Sequence, residues 1–132
     1  MPGIASQYGF GLPDNNYVNG IAQGLNATVQ NGVTAKAGGT QAAGTPIKVT
    51  AQLVSVDTCA SSGDSVVLPV AQPGMQKMIF NNTATSSLYV YGANSTDTIN
   101  GTVGSTAYQI ATFVAVLFSC PKAGVWTAIK SA

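Results

Sequence analysis

The chain is cut into short runs by its own turn residues. Pro73-Gly74, Asn81-Asn82, Gly92-Ala93-Asn94, Asn100-Gly101 and Pro121-Lys122-Ala123-Gly124 punctuate its second half. Gly, Pro and Asn supply the backbone angles that turns need, and Asn-Gly in particular marks a tight turn between strands. The runs between these breaks have the length and the apolar-polar alternation of half-buried strands. Ile47 to Val56 alternates. Ser65 to Val70 follows, with Pro69 confining it to an edge or an end. Gln76 to Asn82, Ser87 to Tyr91, Ala107 to Ile110, Thr112 to Cys120 and Val125 to Ile129 complete the set.

Strands of this length, separated by turns at a spacing of about ten residues, predict an all-β fold. The expectation is a small β-sandwich, jelly-roll-like, or a barrel, because two layers bury what one sheet leaves exposed. Leu53, Val66, Leu68, Ile79, Phe80, Val90, Ile99, Phe113, Val116, Phe118, Trp126 and Ile129 are its expected core.

The first third reads differently and divides the chain into an N-terminal arm, 1–46, and a sandwich domain, 47–132. Between Asn15 and Gly44 the large apolar residues are sparse. Tyr17, Val18, Ile21, Leu25, Val29 and Val33 recur every three or four positions, which hints at a helix through Val18–Val29. Gly20, Gly24 and Gly32 each weaken such a helix by about 1 kcal/mol relative to Ala. Ala37 to Gly44 holds no side chain large enough to anchor a core and reads as a linker or extended strap. An arm of this kind orders against something else. Tyr8, Phe10, Leu12 and Tyr17 are its candidate anchors on another chain, the alternative being that the arm folds back over its own domain.

Charge is scarce. Only 7% of residues are charged: five Lys and four Asp, with no Arg, Glu or His. Globular domains average about 25%. Ser, Thr, Asn, Gln and Gly must build the polar surface instead, and such a surface costs less to desolvate than a charged one. A formal net charge of +1 gives little counterion release, so no nucleic-acid partner is expected. It also gives weak mutual repulsion, so self-association is expected. No stretch is long enough to span a bilayer as a helix, and Met1 to Gly9 lacks the basic start and apolar core of a secretory signal. The chain is therefore read as made in the cytoplasm with no membrane partner. Cys59 and Cys120 are expected reduced and buried, and a bridge between them would need adjacent strands.

The absence of histidine removes Ser–His and Cys–His activation, and two cysteines alone do not make a standard zinc site. No cofactor is expected. Asp57 and Asp64 are the one candidate carboxylate pair of the glycosidase kind, but both flank the turn Thr58 to Gly63, and ordinary turn hydrogen bonds are the preferred reading. Cys59 has no cationic neighbour in sequence to activate it. Four Asn-x-Thr/Ser matches, at Asn26, Asn81, Asn94 and Asn100, are what a chain rich in these residues produces by chance. Tyr89 and Tyr91 alternate with Leu88 and Val90 and so share a face. Such a face stacks on sugar rings or bases in some proteins, and packs on a neighbour in more.

From Asp57 onward the order of pieces is familiar. Asp64-Ser65-Val66-Val67-Leu68-Pro69 precedes Pro73-Gly74. Lys77-Met78-Ile79-Phe80-Asn81-Asn82 follows, then Ser87-Leu88-Tyr89-Val90-Tyr91 and Asp97-Thr98-Ile99-Asn100-Gly101. Ala111-Thr112-Phe113, Phe118-Ser119-Cys120 and Gly124-Val125-Trp126 end it. In order and spacing this resembles the small β-domain of tailed-bacteriophage capsid decoration (cement) proteins and head fibres. The resemblance covers a little over half the chain and none of the arm. It implies a homo-oligomer, dimer or trimer, on the exterior of the virion, bridging adjacent major capsid proteins and stabilising the head. Its alternative is a head-fibre or receptor- and glycan-binding module, with Tyr89 and Tyr91 as the binding surface.

Overall fold

A computed structural model describes residues 28–131, and these are all-β. Six strands are laid down first: β1 (Val29–Thr34), β2 (Thr45–Pro46), β3 (Leu53–Thr58), β4 (Ser65–Val67), β5 (Gln76–Asn81) and β6 (Leu88–Tyr91). They go alternately to two sheets. β1, β3 and β5 pair in parallel in one, and β2, β4 and β6 pair in parallel in the other. The backbone thus winds like a coil, each turn stacking on the one before, which is the construction of a solenoid.

Five further strands close the winding: β7 (Thr98–Ile99), β8 (Thr102–Val103), β9 (Tyr108–Ile110), β10 (Ala115–Lys122) and β11 (Val125–Lys130). β10 runs antiparallel to β5, β11 antiparallel to β10, and β9 antiparallel to β6. The final orders are β1-β3-β5-β10-β11-β7-β8 and β2-β4-β6-β9. The all-β expectation holds. The sheets form a solenoid-like arrangement rather than a clear jelly-roll sandwich or barrel. The turns between β1 and β6 carry the chain across to the opposite sheet instead of folding it back as hairpins, so neighbouring strands run parallel.

The strand period of two fills the space between the sheets. Val54, Val56, Ile79, Val116, Phe118 and Trp126 point inward from the larger sheet, and Val66, Leu88, Val90 and Ile110 from the smaller; all belong to one buried cluster. Each such side chain contributes about 1.5–3 kcal/mol by leaving water. Tyr108 meets Phe118 edge to face, with centroids 5.5 Å apart and planes at 76°.

Of the expected core, Val66, Leu68, Ile79, Val90, Ile99, Val116, Phe118 and Trp126 are buried, and Phe80 is half-buried. Leu53, Phe113 and Ile129 are exposed, at 40%, 60% and 65%. The run Ile47 to Val56 breaks at a turn around Lys48 to Ala51, and β3 turns Val54 and Val56 inward, leaving Leu53 outside. On β11 the inward residue is Trp126, which puts Ile129 on the outer face. Phe113 occupies a left-handed conformation, φ 57°, in the turn before β10.

The boundary also moves. β1 and β2 belong to the two sheets, so the folded unit includes residues 29–46. Of the expected helix, 18–27 lie outside the described residues, and Val29 opens β1. The strap from Ala37 to Gly44 is tied to its own domain: Gln41 Nε2 donates to the Gly92 carbonyl at 2.6 Å, and the Tyr91 hydroxyl donates to the Gly39 carbonyl.

Candidate interaction surface

The buried ionisable and amide side chains are spent on the backbone. Asn81, fully buried, donates through Nδ2 to the carbonyls of Ser86, Ile110 and Ala111 at 2.9, 3.1 and 3.2 Å. Its Oδ1 accepts from Thr83 at 2.7 Å. Asn100 pairs with both backbone groups of Ala128, at 2.9 and 3.1 Å, and so extends the ladder beside β11. Asn100 and Gly101 have φ 50° and 83°, the left-handed pair that an Asn-Gly hairpin turn requires. Asp97 is buried and accepts from the Ala71 N–H at 2.9 Å.

Lys77, 1% exposed, is the least expected of these groups. Its ammonium donates to the carbonyls of Lys48, at 3.0 Å, Val49 and Ala51. One positive charge therefore organises the turn ahead of β3. Burial pushes its pKa below the ordinary lysine range. The alternation of β5 places position 77 inward, yet a lysine in such a strand reads in sequence as a solvent-facing residue.

The two candidate carboxylates have separate structural partners. Asp57 is exposed and accepts from Ser55 Oγ at 2.6 Å, Asn82 Nδ2 at 3.0 Å and the Gly32 N–H at 2.9 Å. The Ser55 and Asn82 hydrogen bonds lead in holding its carboxyl below the usual range, with Gly32 adding to them against a smaller desolvation penalty. Asp64 is buried and accepts from the Ser61 N–H at 3.2 Å, closing its own turn. Cys59 and Cys120 are both buried and free. Burial first, and the nearby Asp64 second, push the Cys59 thiol up, away from the reactive thiolate. Among the described residues no group of three or more His, Cys, Asp or Glu is placed to hold a metal ion, and no helix is long and apolar enough to cross a membrane.

Tyr89 and Tyr91 part company. Tyr89 is half-buried beside Gly63. Tyr91 is 5% exposed with its hydroxyl committed to the strap, so it presents no open ring for stacking. Burial, with Tyr89 adding to it, raises its pKa. Tyr8, Phe10, Leu12 and Tyr17 lie outside the described residues.

What the fold assembles is a row of apolar side chains on the outer face of the larger sheet. Val29 pairs with Leu53, Leu53 with Met78, Met78 with Leu117, and Leu117 with Ile129. These five positions cross β1, β3, β5, β10 and β11 in register. Val29, Leu53, Met78 and Ile129 are 59%, 40%, 38% and 65% exposed, and Leu117 is half-buried. On one side the row is bordered by Gln76, Ser119 and Thr127, and on the other by Ser55, Phe80 and Ala115. None of these carries a charge. Scattered exposed apolar residues are ordinary, but a contiguous band of them marks a contact surface. The row is invisible along the chain because its members are spread over a hundred positions. Its one trace in sequence is that Leu53, Met78, Leu117 and Ile129 are apolar where alternation asks for polar residues.

These features define an all-β, solenoid-like domain with a two-sheet core and an uncharged apolar row on one outer face. The chain matches no protein-family model, and neither curated proteins nor solved structures gave a significant match to it.

Proposed function

We propose that this chain is a non-enzymatic structural protein of a tailed-phage virion, a decoration or cement protein that binds the outer surface of the head and stabilises it by bridging adjacent major capsid proteins. The observation that carries the reading is the uncharged apolar row on a frame in which Asp64, Asn81, Asp97, Asn100 and the buried Lys77 hold backbone. Such a molecule acts by covering area. The two sheets serve as a sandwich-like body that forms the contact between copies, and Tyr8, Phe10, Leu12 and Tyr17 serve as the grip on the shell. Individually weak grips become strong when many are presented on one lattice, because each engaged site raises the effective concentration at the next. A face without charges also desolvates cheaply. The order of motifs from Asp57 to Trp126 supports the same assignment.

The test is binding of the purified chain to cognate heads, read by cosedimentation and by the temperature at which the heads rupture. Full occupancy with a raised rupture temperature is expected. Replacing Tyr8, Phe10, Leu12 and Tyr17 together by Ala should abolish occupancy while leaving the circular dichroism of the sheets intact. Occupancy unchanged by that replacement refutes the grip, and absence of the chain from purified virions refutes the assignment.

A further inference from the structure

The apolar row has a symmetry of its own. Read across the sheet it is Val29, Leu53, Met78, Leu117, Ile129: a β-branched residue at each end, a leucine inside each, and a methionine at the centre. Reversed, it presents nearly the same shapes in the same order. We infer that this face is the contact between two copies of the chain, packed sheet on sheet about a two-fold axis that lies between them, parallel to β5 and over Met78. That operation sets Val29 against Ile129 of the second copy, Leu53 against Leu117, and Met78 against Met78.

Three observations favour a second copy over an unrelated partner. An isologous contact needs one surface to complement itself, and the row does so in side-chain size and branching. Of the bordering residues, Gln76, Ser119, Thr127 and Ser55 are polar, Phe80 and Ala115 are apolar and none is charged, so self-docking opposes no like charges and the apolar centre has a partly polar border. The extent is also sufficient. Five strands at about 4.8 Å and six residues at about 3.3 Å span on the order of 500 Å² in projection. Side-chain relief raises this toward the roughly 600–800 Å² per partner of the smaller stable interfaces. Aligned sheets pack about 10 Å apart, and methionine at the centre adapts to whatever gap the twist of the sheets leaves. This deepens the homo-oligomer part of the proposed function and does not depend on shell binding.

Sedimentation of the full chain over a range of concentrations tests it. The parent chain should be dimeric at micromolar concentration. Ile129→Asp should weaken the dimer by about a hundredfold, since it buries a carboxylate in an apolar contact. Adding Val29→Lys to the same chain should restore association to within about tenfold of the parent, because each Lys then meets an Asp of the other copy. The two positions stand four strands apart, about 19 Å within one chain, so the rescue arises only between copies. As an independent readout, Met78→Cys should be joined into a covalent dimer by a short bismaleimide, which alkylates one thiol of each copy and spans facing sheets about 10 Å apart, whereas Val103→Cys, exposed but off the row, should not. A monomeric parent at about 100 μM overturns the inference. So does an oligomer indifferent to Ile129→Asp, failure of the Val29→Lys rescue, or equal cross-linking at positions 78 and 103. Dimer lost with head binding kept would separate this contact from the shell grip.

Discussion

Replacing Lys77 by Met tests whether a single buried ammonium holds the turn that starts β3. The substitution keeps the length of the stem and removes the donors. Of its three acceptors, the Lys48 and Val49 carbonyls belong to exposed residues and can turn to water, but Ala51 is 3% exposed. An orphaned buried carbonyl costs about 1–3 kcal/mol. Relief from burying a charge offsets part of the loss, and loosening of the turn adds to it, so a net destabilisation of about 2 kcal/mol is expected, several degrees in Tm for a domain of this size. The sole tryptophan, Trp126, is fully buried in the core and reports unfolding by its fluorescence in a urea titration. The pH dependence gives a second handle. Burial lowers the lysine pKa in the folded state, so between that lowered value and the ordinary value of about 10.4 the unfolded chain binds more protons. Stability then rises with pH across that window. Cys59 and Tyr91, whose values are raised, act in the opposite sense as pH climbs, in parent and variant alike. The stability difference between parent and Lys77→Met should therefore widen as pH rises toward 10. A variant as stable as the parent would refute the role given to Lys77, and a gap that narrows with alkalinity would refute the lowering of its pKa by burial.

Asn81→Leu removes three donated hydrogen bonds at a fully buried position and should cost about 2–4 kcal/mol in the same urea assay. Gly104→Ala should unfold the domain or cost about 4 kcal/mol or more, because a Cβ there would overlap the Asn94 carbonyl oxygen and lie 2.9 Å from that of Asp97. Gly101→Ala meets nothing within 4 Å and bears only the strain of φ 83°, about 1–2 kcal/mol; equal losses at 101 and 104 would show that crowding is not what selects glycine. Both thiols should react slowly with a disulfide reagent in the native protein and fully in denaturant, and a fast native phase would contradict the burial of Cys59 and Cys120.

Strands with a clean period of two and firm punctuation were legible in the sequence. β5, β6, β9 and β11 stand within a residue or two of where the alternation puts them, and the Asn100-Gly101 turn has the backbone its residues demand. Parallel pairing was not legible, since alternation specifies faces and says nothing of which strand lies alongside. The run of Ile47 to Val56 misled because Val49 is apolar yet sits exposed in a turn clamped from a distance by Lys77. Ile129 and Leu53 read as core because apolar character alone does not distinguish the inward face from the outward one. Their exposure is what the register assembles into the apolar row, a property of the sheet rather than of any segment.

The position of the closing strands bears on how the molecule is born. Phe118 and Trp126, the largest apolar side chains of the centre, come from β10 and β11, which are translated after the other nine strands of the described residues. Until they emerge, β5 lacks its partner on one side and the interior has no lid, so the earlier strands lie on an unfinished scaffold with apolar surface open to neighbours. Closure of the two sheets therefore waits on the last two strands in chain order, and a product truncated before β11 would expose the interior and be prone to aggregate rather than merely shortened.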